Sequence, residues 1–378
     1  MVDRLINLPA GSIVLISGPA FVRWRGNVTV LGTSAYKEVN VRKGKTLPFE
    51  ARSASKILVR LLAGGSYRIC KGNTIGVSIW RDLLRRMRER PKSVMLVGAT
   101  DTGKSTLAAY LSNIMIVDNL TAGLIDGDVG QGDLAPPGCI GGALVRKQLV
   151  DLRDIDAQMY AFIGTISPMG VEKLIIESMS QIQRRIQARS NVSIINTDGY
   201  VDEHGMRYKI ELAKTLRPDL IVHIGDQVAK FDGFDMVHVN APRIAKTRAL
   251  REERRLAQYV RFVANGQKTI PLTNKNINFM NDICVRNKDL LRIRNVVFPL
   301  DIIIGMFVGL GSAYDVKGFG VITKITDENI TIRTAYEGEF DTIMLSTIGL
   351  SRNIGREYHI PLPLLANRNE GPEGFAPS

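Results

Sequence analysis

The segment SVMLVGATDTGKST, residues 93–106, is the most informative part of the sequence for predicting the fold. It opens with an apolar run typical of a buried strand, and a helical pattern begins at Lys104. Between them, residues 98–105 fit the spacing G-x-x-x-x-G-K-[ST]. Glycines here let the backbone wrap around a phosphate, while successive N–H groups and the helix N-terminus point at the anion. The stretch therefore predicts a nucleotide phosphate site formed by nine consecutive residues: Gly98, Ala99, Thr100, Asp101, Thr102, Gly103, Lys104, Ser105 and Thr106.

The last residues of this pattern carry the chemistry. Lys104 is expected to reach the β- and γ-phosphates, and the Ser105 hydroxyl to bind Mg²⁺. A glycine-rich turn without a ligand would leave the Lys-Ser pair unexplained. No N-K-x-D guanine motif occurs in the chain, so GTP specificity is not supported.

Carboxylates follow the next predicted strands. The stretch DGDVGQGD, residues 126–133, comes after an apolar strand, and Asp198 follows another. Because ligands of a parallel sheet lie beyond the carboxyl ends of its strands, these side chains should face the γ-phosphate. Asp126 and Asp128 are candidates for holding the metal or accepting a proton. The sequence leaves their roles open, and an ordinary Asp/Gly turn is the alternative.

Strands and helices alternate through the middle of the chain. Helical patterns cover residues 81–90, 104–115, 171–188, 207–216 and 245–263, with near-continuous apolar strands between them. Such strands indicate an α/β unit with a parallel sheet covered by helices on both faces. Short alternating segments before and after it predict flanking β domains, with strands expected over 301–312, 318–336 and 340–352. We place the domains at 1–80, 81–270 and 271–378, with a disordered tail from 367.

The composition excludes several classes of protein. Hydrophobic residues make up 45% and charged residues 23%, as in globular proteins. The longest apolar run, residues 296–310, contains Asp301 and is too short to span a bilayer. The first residues lack a signal-peptide layout, so a cytoplasmic protein without a membrane partner is expected. The three cysteines and four histidines show no disulfide or metal spacing.

The charge favours a polyanionic partner. The chain has 50 Lys and Arg against 37 Asp and Glu, a net charge of +13. Residues 81–92 hold six basic and two acidic side chains, and residues 243–261 hold seven and two. A solvated helix face is the alternative for such runs. Since the chain as a whole also carries an excess of basic residues, we favour nucleic acid as the partner.

The chain resembles the polynucleotide 5′-hydroxyl kinases of RNA processing in four features. In order along the chain, these are the P-loop, the D-x-D-V-G-Q-G motif, the N-T-x-G-aromatic motif and an Arg-rich helix. That family includes the kinase subunit of the pre-mRNA cleavage and polyadenylation machinery, a pre-rRNA-processing relative and archaeal homologues. The resemblance extends over nearly the whole chain, and the D-V-G-Q-G stretch is its most specific part. It implies ATP-dependent phosphorylation of a 5′-hydroxyl on RNA, with DNA as a second acceptor, and RNA-processing protein partners.

The resemblance also implies roles for individual residues. Lys104 and Ser105 match the phosphate and magnesium positions, and Asp128 matches the general base. Arg251 and Arg255 fall in the stretch that matches a lid closing over the transferring phosphate, with a register uncertain by a few residues. The remaining matches concern the acceptor: Gln131 of the D-V-G-Q-G motif, Thr165 and Ser167 of the Gly-Thr/Ser-Pro segment, and Tyr200, where the family usually has Trp.

Three alternatives stay open at this point. The chain could be an ATP-binding scaffold with little turnover, a P-loop ATPase or GTPase switch, or a small-molecule kinase. The first is weakened because Lys104, Ser105, Asp128 and the arginines are all present. The last is weakened because neither the basic excess nor two additional β domains would serve a small acceptor.

Overall fold

The computed structural model describes residues 1–71, 77–87, 92–225, 230–239, 245–263, 266–273, 275–280, 282–312 and 315–362. The predicted disordered tail, residues 367–378, lies outside these ranges. So do residues 88–90 of the helix predicted over 81–90.

The amino-terminal segment folds into two antiparallel four-stranded sheets. Its strands are β1 (Val2–Leu8), β2 (Ser12–Ser17), β3 (Ala20–Arg25), β4 (Val28–Val30), β5 (Glu38–Val41), β6 (Thr46–Ala51), β7 (Ser55–Leu61) and β8 (Ser66–Lys71). The sheet orders are β1-β7-β3-β5 and β4-β6-β2-β8. In β3, buried and exposed residues alternate strictly. The buried Trp24 of β3 meets Phe49 of β6 with ring centroids 5.5 Å apart, which joins the two sheets.

A seven-stranded sheet forms the centre of the molecule, in the order β12-β11-β10-β13-β9-β14-β15. Its strands are β9 (Ser93–Gly98), β10 (Ala122–Asp126), β11 (Cys139–Val145), β12 (Met159–Phe162), β13 (Val192–Asn196), β14 (Leu220–Ile224) and β15 (Met236–Val239). The helices are α1 (Val77–Met87), α2 (Lys104–Val117), α3 (Glu172–Gln187), α4 (Glu203–Leu216) and α5 (Arg248–Phe262).

Helices cover both faces of this sheet, as the sequence predicts. Along β9, Val94 and Leu96 pack into the same cluster as the buried side chains of α2. Met95 and Val97 point the other way, into the cluster that contains α3 and α4. Because successive strand residues face opposite sides, a fully apolar strand can pack helices on both.

The sheet is mixed rather than parallel throughout. Strands β10, β13, β9, β14 and β15 are parallel neighbours, but β11 pairs antiparallel with both β10 and β12. The sequence analysis did not identify β11 and β12; no α-helix separates β10, β11 and β12, and a short 3-10 turn, Leu152–Asp154, lies between β11 and β12. Helix α4 begins at Glu203, four residues before the prediction, because Asp202 caps it by accepting from the Gly205 N–H at 2.9 Å.

The carboxyl-terminal segment is again β. Its strands are β16 (Gln267–Pro271), β17 (Asn276–Phe279), β18 (Asp282–Ile283), β19 (Val285–Asn287), β20 (Leu290–Ile293), β21 (Val296–Pro299), β22 (Phe307–Ser312), β23 (Asp315–Ile325), β24 (Asn329–Thr334), β25 (Thr342–Leu345), β26 (Ile348–Leu350) and β27 (Glu357–His359). They form sheets in the orders β16-β24-β23-β22-β25-β17-β18, β19-β20-β21 and β26-β27.

Two of the strand predictions in this segment need correction. The stretch predicted as one strand over 301–312 contains a 3-10 turn, Leu300–Ile303, before β22. The stretch predicted over 340–352 divides into β25 and β26. The turn predicted at 327–329 does join β23 to β24 as an antiparallel hairpin. None of the helices described has the length and apolarity needed to cross a membrane.

Candidate active site

A cavity of about 350 Å³ lies where three parts of the chain meet. The phosphate loop contributes residues 100–106, and the amino-terminal β segment contributes the turn from Lys43 to Thr46. The approach to α5 and the helix itself contribute Lys246, Leu250 and Arg254. Asp128, Gln131 and Asp133 complete the wall on the side of β10. The phosphate loop therefore opens into a space whose other walls are rich in charged side chains.

Lys104 is the first residue of α2 and is buried, with 6% of its surface exposed. Its Nζ donates to the carbonyl oxygens of Gly98 at 2.6 Å and Ala99 at 2.9 Å. Burial lowers the pKa of Lys104 to about 8, although the nearby Asp128 carboxylate acts in the opposite direction. The side chain is held at the loop, within the wall of the cavity, where a phosphate can accept its hydrogen bonds instead.

Asp126 organises the loop that follows β10. One of its oxygens accepts from the Asp133 N–H at 2.6 Å and the Leu134 N–H at 3.2 Å. The other accepts from Asn196 Nδ2 at 2.9 Å. Burial raises the pKa of Asp126 to about 6, and the neighbouring carboxylates add to that effect. Because its oxygens already accept these bonds, Asp126 anchors the loop in this conformation.

Asn196 links Asp126 to the phosphate loop. Its Nδ2 also lies 3.4 Å from the Ser105 hydroxyl, so the ends of β10 and β13 and the first turn of α2 bring Asp126, Asn196 and Ser105 together. The sequence analysis did not single out Asn196. Its position at the end of an apolar strand beside a predicted metal site was the available signal.

The residues at this edge fit Mg²⁺. A hydroxyl and carboxylates are hard oxygen donors of the kind that Mg²⁺ prefers. Asn196 Oδ1 is buried and has no hydrogen-bond partner within the described ranges. No group of three or more acidic, His or Cys side chains arranged to hold a metal occurs among the described residues. Nucleotide-bound Mg²⁺ is usually held by one or two protein ligands plus phosphates and waters.

Asp128 lies in the cavity wall with a fixed orientation. Its Oδ1 accepts from the N–H groups of Gly130 at 3.1 Å and Gln131 at 2.8 Å. Burial raises the pKa of Asp128, Asp198 raises it further, and Lys104 opposes both. A half-buried carboxylate that lines the cavity beside Lys104 has the position required of a proton acceptor.

The loops expected to hold an acceptor lie next to these groups. A Cβ on Gly130 would lie 2.8 Å from the Ile166 carbonyl oxygen, so the segment with Thr165 and Ser167 packs directly on the D-V-G-Q-G loop. A Cβ on Gly199 would lie 2.2 Å from Thr100 Oγ1, so only glycine lets the turn before Tyr200 approach the phosphate loop this closely.

Thr165, Ser167 and Tyr200 lie outside the cavity lining described above. Thr165 is buried and accepts from the Ser167 N–H at 3.3 Å. The Tyr200 side chain is half-buried and packs beside Gly205 in the first turn of α4. Their roles in acceptor binding stay predictions.

Helix α5 forms part of the cavity wall, and its arginines contact the surrounding segments. Arg251 donates to Asp101 at 2.9 Å, and Arg255 donates to Glu357 at 2.9–3.0 Å. Arg254, which the sequence analysis did not name, lines the cavity and pairs with Asp133. The Arg-rich pattern located the helix correctly, but several arginines one or three residues apart could not be assigned to one face without coordinates.

The amino-terminal β segment supplies cations that no local motif indicates. Lys43 and Lys45 line the cavity, and Lys43 Nζ pairs with Glu253 of α5 at 2.6 Å. Lys45 is buried, and its Nζ lies 3.9 Å from Asp151 Oδ1. These residues reach the phosphate loop only through tertiary packing, so the sequence carried no signal for them.

Comparison with known proteins agrees with this architecture. A polyribonucleotide 5′-hydroxyl-kinase of Pyrococcus horikoshii is 32% identical over 134 residues, which is 35% of this chain and 37% of the kinase. A CLP1 homolog of Nematostella vectensis is 29% identical over 227 residues, 52% of this chain and 51% of that protein. The matched part is therefore well under two thirds of these relatives.

A solved Clp1p–Pcf11p complex has the same fold as this chain. Its Clp1p chain superposes with a TM-score of 0.69 at 13% identity, covering 92% of this chain and 98% of the other. Residues 98–262 match the family model of the mRNA cleavage and polyadenylation factor CLP1 P-loop. This segment contains the phosphate loop, the D-V-G-Q-G loop and α5, so the cavity is the nucleotide site of a P-loop domain. Over residues 98–262, the chain is therefore similar to the CLP1 P-loop family.

Proposed function

We propose that this protein transfers the γ-phosphate of ATP to the 5′-hydroxyl of a polynucleotide, with RNA as the preferred acceptor and DNA as a second one. The observation that carries the proposal is that Lys104, Asp128 and Arg254 line one cavity. A loop cation, a carboxylate and a lid arginine are the side chains that phosphoryl transfer requires. The choice of RNA is supported by the kinase relatives, which are named for polyribonucleotide acceptors.

Each side chain has a distinct part in this reaction. The Asp128 carboxylate accepts the proton of the acceptor hydroxyl as the oxygen bonds to the γ-phosphorus. The bond from that phosphorus to the bridging oxygen breaks, and ADP leaves. Lys104 and Arg254 stabilise the negative charge on the phosphoryl oxygens. Mg²⁺, when bound, supplies further charge neutralisation, and Ser105 with Asp126 or Asp128 would hold it.

The acceptor reaches the cavity beside the D-V-G-Q-G loop. Gln131 lines the cavity next to Asp128, and the segment with Thr165 and Ser167 packs on the same loop. The turn with Tyr200 packs on the phosphate loop through Gly199 and Thr100. These segments would hold a 5′-terminal nucleotide while the basic stretches contact its backbone.

An ATP-binding scaffold is the second candidate, and one observation favours it. Arg251, Arg254 and Arg255 are all paired with protein carboxylates. A lid held in this way could retain ATP without turnover. The solved structural relative was captured with a protein partner, Pcf11p, so a protein partner for this chain is also proposed.

One experiment separates the two candidates. The protein is given γ-labelled ATP and matched 5′-hydroxyl RNA and DNA, single- and double-stranded, and label at the 5′ end is measured beside the Asp128→Asn variant. The kinase proposal expects label on RNA that depends on Asp128. Stoichiometric ATP binding with no labelled acceptor would favour the scaffold instead.

A further inference from the structure

Lys209 is a fully buried cation close to the candidate active site that the proposed reaction does not use. It lies on the inner face of α4 between buried neighbours that include Tyr208 and Leu212, and none of its surface is exposed. Its Nζ lies 2.6 Å from Asp198 Oδ2 and 4.2 Å from the centre of the Tyr208 ring. A buried lysine is costly unless a carboxylate compensates it, so this pairing is a specific feature of the site.

Asp198 connects this lysine to the turn that carries Tyr200. While one carboxylate oxygen contacts Lys209, the other accepts from the Tyr200 N–H at 2.8 Å. Asp198 is itself buried, with 3% of its surface exposed. Its two oxygens therefore bridge helix α4 and the Tyr200 backbone.

The turn is fixed at two further points. Thr197 Oγ1 donates to the Leu96 carbonyl of β9 at 2.8 Å, and Gly199 packs against Thr100 of the phosphate loop. Thr197 and Gly199 thus attach the turn to the sheet and to the phosphate loop. Within this turn, Asp198 is the residue whose side chain accepts from the Tyr200 N–H.

We propose that Lys209 is a positioning residue, which holds Asp198 so that the turn 197–200 presents the acceptor-binding side chain beside the phosphate loop. The inference rests on the proposed function, since it assigns a role to a residue of the same site. Lys209 has no surface from which to contact nucleotide or acceptor; its Nζ contacts Asp198, and its charge also acts on Asp128 and Lys104 at longer range. Burial lowers the pKa of Lys209 and Asp198 acts against this, which agrees with a mutually dependent pair.

The test compares Lys209→Met with Lys214→Met. Methionine preserves length and apolar volume but removes the cation, leaving Asp198 as a buried carboxylate without its partner. Lys214 lies on the same helix, but it is exposed and pairs with Glu211 at 2.7 Å. For Lys209→Met we expect the acceptor KM to rise roughly 10-fold, the scale of one lost hydrogen bond to a charged group, with the ATP Kd within about twofold of wild type. Lys214→Met should change neither constant.

A second variant keeps the inference testable if Lys209→Met folds poorly. In Asp198→Asn with Lys209→Met, the Asn side-chain oxygen can still accept from the Tyr200 N–H, and no unpaired charge remains. This double variant should recover most of the lost acceptor affinity. A residue that serves stability alone would lower the melting temperature without separating the acceptor KM from the ATP Kd, and that result would overturn the proposal.

Hydrogen exchange at the Tyr200 amide gives a readout that does not depend on transfer. Protection should fall by about tenfold or more in Lys209→Met, because Asp198 loses the cation that holds it against the Tyr200 amide, and it should return in the double variant, where an uncharged Asn can accept from that amide. Unchanged protection in Lys209→Met overturns the inference even if the wild type is an active kinase. A wild type without transfer refutes the proposed function, while the exchange result still decides the role of Lys209.

Discussion

Arg251 of helix α5 donates to Asp101 of the phosphate loop across 2.9 Å, joining the helix directly to that loop. Lys246, just before the helix, adds two bonds to the same carboxylate, from its N–H at 2.9 Å and its Nζ at 3.0 Å. Burial disfavours ionisation of Asp101, but these partners hold its pKa below its usual range. The position of α5 and the shape of the phosphate loop are therefore linked through one carboxylate.

Arg251→Ala should slow transfer because it loosens this link. We expect kcat to fall roughly 10-fold, about 1.4 kcal/mol of lost transition-state stabilisation, with little rise in the KM for ATP. Steady-state kinetics at saturating acceptor measure the effect. A salt-sensitive rise in acceptor KM at normal kcat would show instead that Arg251 contacts the nucleic-acid backbone.

Substitutions of Arg254 and Arg255 should have different effects, although the two residues are adjacent in the sequence. Arg254 lines the cavity and pairs with the fully buried Asp133, so Arg254→Ala should lower stability by about 3 kcal/mol as well as abolish most transfer. The pair Arg254→Met with Asp133→Asn should restore the melting temperature but not the transfer, because the cation is still missing. Recovery of both would mean that Arg254 acts only through folding.

Arg255 contacts Glu357 of β27 in this structure, and the lid role inferred from the resemblance stays a prediction. If the arginine only anchors α5 to the carboxyl-terminal sheets, Arg255→Ala and Glu357→Gln should reduce kcat by the same factor. If it moves to the transferring phosphate, the arginine variant should be slower by a further factor of roughly 10². Comparing kcat of the two variants decides between these roles.

Sequence patterns could locate the parts of the fold whose signal is local. The phosphate loop, its flanking strand and helix, and the helix with Arg251 all follow from periodicity and spacing within about twenty residues of chain. Strands β11 and β12 could not be found in this way, because their antiparallel pairing depends on partners distant in sequence. Lys43 and Lys45 join the site by tertiary packing, and Lys209 looks like an ordinary helix-surface lysine until its burial is known.

Lys104→Ala should reduce transfer by about 10²-fold or more, since it removes the cation that stabilises the phosphoryl oxygens. The protein should remain folded, because the buried ammonium bonds only to backbone carbonyls of its own loop among the described residues. Labelling of a 5′-hydroxyl RNA measures transfer, and a thermal melt monitors folding. Near-normal labelling by this variant would refute the phosphate-loop assignment.

The Asp126→Asn and Asp128→Asn variants should differ in their effects on stability and on transfer. Asp128→Asn should keep the fold and ATP binding and slow transfer by roughly 10²–10⁴-fold, the range for loss of a positioned base. Asp126→Asn should instead lower stability, because Asp126 accepts from two loop amides and from Asn196. ATP affinity with and without Mg²⁺ distinguishes metal binding from proton transfer. A mild Asp128→Asn and a stable but inactive Asp126→Asn would reverse these roles.

Tyr200 is expected to stack on the terminal base of the acceptor, because its turn packs against the phosphate loop. Tyr200→Ala should weaken acceptor binding by roughly 1–3 kcal/mol, the usual contribution of one base stacked on one aromatic ring. ATP binding should not change, and Tyr200→Trp should preserve or improve activity. However, the ring also packs beside Gly205, which gives it a structural reason to be aromatic. If Tyr200→Ala lowers the melting temperature while the acceptor KM stays at the wild-type value, the residue stabilises the start of α4 and the stacking assignment is wrong.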